Sequence, residues 1–183
     1  VQEARFRLAE AFYGKKEFIS AATEFSRLAS DYPNSEWADD SRLKVCESYG
    51  RLSPKAPLDQ QYTKAAYDHC AAFEGLYPNS EFVGRARELA GQMMNRLAEK
   101  DYRIGEHYYK RKCFDCSITY FEMTVREYPV SDWAPRSLLR LFQAYTTIGY
   151  KEEADAAKAR LIKDYPNSDA AREVQANAVA RTS

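Results

Sequence analysis

One short pattern recurs four times along the chain and constrains its fold more than any other feature. It reads Tyr-Pro-x-Ser followed by an acid, and its copies begin at Tyr32, Tyr77, Tyr128 and Tyr165. Proline cannot continue a helix on its N-terminal side and disfavours the α conformation in the residue before it. Serine can cap a new helix, and the acid suits the positive end of its dipole. Each copy therefore predicts a helix end followed by a helix start, with breaks at Pro33, Pro78, Pro129 and Pro166.

A second regularity accompanies the first. The residue eleven positions before each of these tyrosines is small, and the four are Ala21, Ala66, Ser117 and Ala154. A small residue at a fixed position lets two helices approach closely. In the first, third and fourth copies, a short turn rich in basic residues precedes it. The sequence thus predicts a repeated unit of helix A, tight turn, helix B and Tyr-Pro stop.

This unit resembles the tetratricopeptide repeat (TPR), lengthened here by insertions. The resemblance predicts an all-α fold, a right-handed superhelix of four helix pairs at about 1–34, 35–79, 80–130 and 131–167, followed by a cap helix at 168–181. All of 1–183 would form one solenoid domain of about nine helices. Extra residues fall in the loop 52–59 and in one long helix from Ser80 to Lys112.

Charge and hydropathy exclude several classes of function. Lys plus Arg and Asp plus Glu both number 27, so the balance does not favour nucleic acid. No stretch approaches the roughly 20 apolar residues that a membrane helix needs. The amphipathic pattern is already present at the first residues, with no cap before it, which predicts a fragment whose natural N-terminus lies upstream.

The cysteines and histidines offer an alternative chemistry. Cys113 and Cys116 form a C-x-x-C motif, which could be a zinc or redox site or a local disulfide. Cys46 and Cys70 lie on consecutive predicted helices, where a bridge is possible. His69 and His107 belong to no acid-base arrangement, so we expect neither catalytic residues nor a cofactor or metal.

The run at 75–114 resembles the BamD family of bacterial outer-membrane assembly lipoproteins. There a Tyr-Pro-x-Ser turn leads into a long helix with a Leu-Ala-acid stretch, here Leu97-Ala98-Glu99, and a Tyr-Tyr pair, here Tyr108-Tyr109. The resemblance implies a non-enzymatic scaffold of β-barrel assembly, lipid-anchored at the periplasmic face of the outer membrane through an anchor outside this chain. Its implied partners are the periplasmic domains of BamA, other proteins of the machinery and unfolded outer-membrane protein segments.

Aromatic and arginine side chains are the candidates for these contacts, because both are enriched where interfaces bury well. On the C-terminal half, the predicted partner-binding residues are Tyr108, Tyr109, Arg126, Arg136, Arg140 and Tyr145. On the N-terminal half, Tyr13 and Tyr49 are predicted to bind peptide. Packing between repeats is the competing role for each tyrosine. Two other functions stay open at this point: a different TPR adaptor, and a thiol or zinc protein that uses Cys113 and Cys116.

Overall fold

A computed structural model describes residues 1–179, with side chains as far as 176, and all regular structure in this part of the chain is helical. The predicted all-α class is confirmed. The helices are α1 Gln2–Gly14, α2 Phe18–Asp31, α3 Ala38–Leu52, α4 Gln61–Leu76, α5 Val83–Lys110, α6 Phe114–Glu127, α7 Trp133–Ile148, α8 Lys151–Asp164 and α9 Asp169–Val179. The last residues of the predicted cap helix, 180 and 181, lie outside the described residues.

The predicted helix ends are confirmed at all four Tyr-Pro pairs. Helices α2, α4, α6 and α8 each end one residue before the tyrosine. The tyrosine amide still donates to the carbonyl four residues earlier, as from Tyr32 to Leu28 at 3.0 Å. Its own backbone has left the α region, with φ of −134° and ψ of 63° at Tyr32. A following proline disfavours the α region at the residue before it, which agrees with the helix ending here.

The serines of the motif lie in a β-turn, which the sequence analysis did not predict, and most of them also supply the predicted capping oxygen. In every copy the serine amide donates to the tyrosine carbonyl, at 3.0–3.1 Å, so Tyr-Pro-x-Ser forms a β-turn with proline at its second position. The hydroxyls of Ser35 and Ser80 accept from the amides two residues on, those of Trp37 and Phe82, and the hydroxyl of Ser168 accepts from the amide of Ala171, three residues on, as a capping oxygen does. The hydroxyl of Ser131 instead donates to the carbonyl of Tyr128. Three of the four serines therefore supply the predicted oxygen to an amide at the start of the next helix, and Ser131 does not. The β-turn does not prevent this, because it uses the serine amide and leaves the hydroxyl free.

The turns between helices A and B share one geometry. The amides of Glu17, Cys113 and Tyr150 each donate to a carbonyl five residues earlier, at 2.9–3.1 Å. The residue before each of them is left-handed: Lys16 at φ 64°, Lys112 at φ 61° and Gly149 at φ 84°. This is the Schellman ending of an α-helix. It reverses the chain within a few residues and sets helix B against helix A.

The chain forms two compact units, Val1–Leu97 and Ala98–Ser183. In the first unit, Phe6, Phe25 and Val45 lie in one buried cluster. A second cluster contains Leu43, Phe73 and a disulfide between Cys46 and Cys70, which joins α3 to α4. In the second unit, the core is built on Phe121, Leu138, Leu161 and Val174. The division into four repeats of one solenoid stays a prediction.

The four small residues of the repeated unit are all buried, with exposed fractions of 0% for Ala21, Ala66 and Ser117 and 4% for Ala154. Helix α5 runs unbroken for 28 residues, as its apolar spacing predicted. None of the described helices is both long and apolar enough to cross a membrane.

Candidate partner-binding surfaces

The second unit carries an open groove of about 460 Å³ that is lined by α6, α7 and α8. Its floor is apolar and consists of Val125, Leu138, Leu141 and Ala157. The groove exists because α8 carries Ala156 and Ala157 here, which leave space that larger side chains would fill. An apolar floor with a few polar groups around it is the usual composition of a binding site.

Charges of both signs surround this groove in a fixed order. On α6, Glu122 precedes Arg126 by four residues, and on α8, Glu153 precedes Arg160 by seven. Residues at these spacings share one face of a helix. On both α6 and α8, the glutamate therefore lies closer to the N-terminus of its helix and the arginine lies closer to the C-terminus.

Tyr145 of α7 lies beside the two acids. Its hydroxyl donates to Oε1 of Glu122 at 2.7 Å. Burial raises the pKa of Tyr145 well above its ordinary value, and the hydrogen bond to Glu122 and the charge of Glu153 raise it further. The phenol is therefore a neutral hydrogen-bond donor throughout the physiological range of pH.

Among the described residues, the ion-pair partners of the two groove arginines are neighbours on their own helices. Nε of Arg126 lies 2.8 Å from Glu127 and Nε of Arg160 lies 3.3 Å from Asp164, and the side chains are exposed. Ion pairs of this exposed kind contribute little to stability. Both guanidinium groups can therefore turn toward an incoming partner at low cost.

Arg140, by contrast, is engaged inside the second unit. It forms an ion pair with Glu106 of α5, in which the Glu106 side chain is 16% exposed. Its guanidinium carbon lies 5.1 Å from the ring centre of Tyr109. Burial lowers the pKa of Arg140, yet contacts with Tyr102 and Glu106 leave it raised overall. Arg140 and Tyr109 thus serve the packing of α5 against α7.

The other two predicted residues of this half lie elsewhere. Arg136 is exposed and stacks over Trp133, with 4.8 Å between its guanidinium carbon and the ring centre. Tyr108 stacks on Tyr120 at 5.6 Å between ring centres. Of the six predicted residues, the groove brings together Arg126 and Tyr145. The sequence analysis missed Glu122, Glu153 and Arg160, whose helical spacing was the available signal.

The first unit has a smaller, polar pocket of about 200 Å³. Tyr13 of α1 lines it together with three arginines, which are Arg51, Arg85 and Arg96. The hydroxyl of Tyr13 accepts from Nε of Arg51 at 3.2 Å. Glu47 is the carboxylate in this lining, 3.5 Å from Arg85. The excess of guanidinium groups suits a carboxylate ligand.

Tyr49 does not line that pocket. Its ring stacks on His69 at 5.5 Å and on Tyr62 at 6.3 Å between ring centres. Burial, followed by the charge of Arg42, lowers the pKa of His69 below its ordinary value. This stack belongs to the packing of α3 on α4, so the structure separates the two tyrosines that were predicted together.

The cysteines of the C-x-x-C motif are paired as a disulfide, with 5.4 Å between the Cα atoms of Cys113 and Cys116. Paired sulfurs cannot act as thiolate ligands of zinc. Within the described residues, no group of three or more His, Cys, Asp or Glu side chains could hold a metal ion.

Comparison with known proteins connects these surfaces to a family. A family model described as outer membrane lipoprotein, YfiO, matches residues 49–161, and a tetratricopeptide-repeat model matches residues 3–35. The first match contains the long helix α5, the C-x-x-C turn and every residue that lines the groove.

Several relatives carry the name outer membrane protein assembly factor BamD. The protein of Caulobacter vibrioides is 28% identical over 156 residues, which is 85% of this chain and 51% of that protein. The protein of Rickettsia prowazekii is 27% identical over 121 residues, 66% of this chain and 48% of that protein. The chain therefore spans about half the length of these relatives. Since the lipoprotein match extends over more than half of the sequence, the chain belongs to the BamD-type family of outer membrane lipoproteins.

Proposed function

We propose that this chain is a non-enzymatic scaffold of outer-membrane protein assembly, working at the periplasmic face of the outer membrane. The match to the lipoprotein family over residues 49–161 is the observation that carries this proposal. The relatives' shared name, assembly factor, supports it. Two disulfides also suit an oxidising compartment such as the periplasm. A lipid anchor, which the description of the family as lipoproteins implies, would hold the protein at the membrane.

The partner that we propose for the second unit is the set of periplasmic domains of BamA, docked over the groove of α6, α7 and α8. The groove supports this because it combines an apolar floor with Tyr145 and with two exposed arginines that form ion pairs with neighbours on their own helices. Aromatic and arginine side chains carry a large share of the binding energy at protein interfaces. Arg140 is left out of the docking residues, since it is engaged by Glu106.

Isothermal titration calorimetry against the periplasmic fragment of BamA tests this docking. The double variant Arg126→Glu, Arg160→Glu should bind at least about tenfold more weakly, because reversing charges next to a buried contact costs more than about 1.4 kcal/mol. The matched control is Arg27→Glu, Arg87→Glu, which changes net charge equally at two exposed positions of the first unit. Helical circular dichroism should be unchanged in both variants.

The other outcomes of this titration would exclude either the groove as the docking site or the scaffold function. Equal weakening by the two double variants would show a general charge effect and exclude the groove. Unchanged affinity in the groove variant would also exclude it. If the unaltered chain does not bind the BamA fragment at all, the scaffold function itself would be overturned in favour of a different TPR adaptor.

For the first unit we propose that the pocket around Tyr13 binds segments of unfolded outer-membrane proteins through their carboxylates. Two exposed arginines of the pocket, Arg51 and Arg85, support this, because guanidinium groups recognise carboxylates through paired hydrogen bonds, whereas Arg96 is engaged by Ser53. A fluorescent peptide of one outer-membrane β-strand with a free carboxyl terminus is a suitable probe. Anisotropy should show weaker binding with Arg51→Glu, Arg85→Glu than with the control pair Arg27→Glu, Arg87→Glu. Equal binding by both pairs would exclude the pocket.

A further inference from the structure

The two disulfides of this chain lie in opposite surroundings. Cys46 and Cys70 are 1% and 2% exposed, in the core between α3 and α4. Cys113 and Cys116 are half-buried, at the corner where α5 turns into α6. The first bridge is shielded by packed side chains, whereas the second can be reached from solvent. Access of this kind is a precondition for exchange with another thiol.

Loop length also distinguishes the two bridges. The cysteines of the buried pair are 24 residues apart, and those of the corner pair are three apart. In the chain-entropy account, a disulfide stabilises a fold by closing a loop in the unfolded chain, and a longer loop gives a larger effect. The buried bridge therefore suits a stabilising role. By the same account, the disulfide of Cys113 and Cys116 contributes less to the stability of the fold. Stabilisation therefore does not by itself account for this disulfide.

The charges around the corner favour the reduced, thiolate form of Cys113. Cys113 is the N-cap of α6, a helix of 14 residues, so it lies at the positive end of the helix dipole. Lys110, Arg111 and Lys112 come directly before it and are exposed. Cations and helix N-termini lower the pKa of a cysteine thiol and so stabilise the thiolate. Asp115, in the first turn of α6, is the opposing charge.

We propose that Cys113 and Cys116 form an exchangeable disulfide that passes oxidising equivalents to, or receives them from, a cysteine pair of another protein. The disulfide at the corner is accessible to solvent, closes a very short loop and lies beside three cations. These three properties distinguish it from the buried disulfide of Cys46 and Cys70. This inference goes beyond the scaffold role and does not depend on it.

The exchange balances as two displacements at sulfur. A thiolate of the partner attacks Sγ of Cys113, the Cys113–Cys116 bond breaks, and its electron pair goes to Sγ of Cys116. The partner's second thiolate then attacks the partner sulfur of the mixed disulfide and releases Cys113 as a thiolate beside the cations. The partner dithiol has lost two electrons and gained a disulfide, and the corner pair has been reduced. The reverse sequence reduces a partner disulfide.

Equilibration of the full chain in glutathione buffers of graded ratio tests this proposal. After acid quenching, alkylation of free thiols and mass spectrometry report the two pairs separately in one sample. The equilibrium constant for reduction of the corner pair should exceed that of the buried pair at least a hundredfold, about 60 mV for a two-electron couple. Reduction of both pairs together, or of the buried pair first, would overturn the proposal.

Two charge variants test whether the neighbouring charges make the corner pair easier to reduce. Replacing the three cations, Lys110→Gln, Arg111→Gln and Lys112→Gln, should lower that equilibrium constant several-fold, because the thiolate loses its stabilising charges. The single variant Asp115→Asn should raise it. The buried pair in the same molecules is the internal control and should stay unchanged. Changes in the same direction for both variants would contradict the electrostatic account.

Transfer to a partner is measured with a reduced synthetic peptide that carries two cysteines. The oxidised chain should convert this peptide to its disulfide while Cys113 and Cys116 become reduced, and the Cys116→Ser variant should not. That variant, mixed with the oxidised peptide, should instead retain a mixed disulfide through Cys113. No transfer within hours from the folded, oxidised chain would overturn the proposal. Because BamA is absent from the assay, its outcome is independent of the docking experiment.

Discussion

Gly105 of α5 lies directly against the ring of Phe121 of α6. A Cβ atom placed on Gly105 would be 2.7 Å from Cε1 of that ring, much closer than carbon atoms can approach. Phe121 itself is fully buried in the core of the second unit. The glycine therefore sets the distance between these two helices.

The variant Gly105→Ala should lower the free energy of unfolding by about 1–3 kcal/mol, because the added methyl overpacks a filled core. The matched control is Gly91→Ala on the same helix, where nothing lies within 4 Å of an added Cβ. That change should raise the free energy of unfolding by about 0.5–1 kcal/mol, since alanine is the better helix former. Urea denaturation measures both. A neutral or stabilising Gly105→Ala would contradict the contact.

Ala66 should resist enlargement for a similar reason. It is 0% exposed on α4 of the first unit. The variant Ala66→Leu should cost about 1–3 kcal/mol of unfolding free energy through overpacking. Ala72→Leu on the exposed side of the same helix is the control and should change stability by less than about 0.5 kcal/mol. Equal midpoints of thermal unfolding for the two variants would argue against a close helix crossing at Ala66.

The ion pair of Glu106 and Arg140 should behave as a unit. Arg140→Glu places a second carboxylate beside a Glu106 that is only 16% exposed, so it should destabilise the fold by about 2–4 kcal/mol. The double variant Glu106→Arg, Arg140→Glu should recover part of this loss, because opposite charges face each other again. A double-mutant cycle of unfolding free energies gives the coupling. Coupling near zero would mean that the pair does not stabilise the second unit.

Stability should depend on pH through His69. Burial and Arg42 lower the pKa of His69 in the folded state, so the unfolded chain binds the proton more readily. The contribution of neutral His69 is therefore fully present above the ordinary pKa of about 6.5 and is lost as pH falls below it. Between about pH 7.5 and pH 5.5, His69→Gln should flatten this fall in unfolding free energy. His107→Gln, at an exposed position, is the control, and equal flattening by both would contradict the role of burial.

Local chemistry made part of this structure predictable. The four Tyr-Pro pairs ended four helices where the sequence placed them, because the proline acts on the residue beside it. The small residue eleven positions before each tyrosine is buried, as predicted, because it occupies the same position in every copy of the repeated helix pair. The capping oxygen of the motif was predicted correctly at Ser35, Ser80 and Ser168 but not at Ser131, whose hydroxyl donates to the carbonyl of Tyr128.

The candidate surfaces depended on distant partners. Arg140 and Arg126 look alike in sequence, yet Arg140 pairs with Glu106, 34 residues away, and Arg126 pairs with its neighbour Glu127. Tyr145 lines a groove, whereas Tyr49 lies in a stack with His69. The sequence by itself determined the helices, their ends and the family. Only the tertiary structure decided which arginines are engaged, which tyrosines are packed and which cysteines lie in the core, because these properties come from contacts between residues that are far apart in the chain.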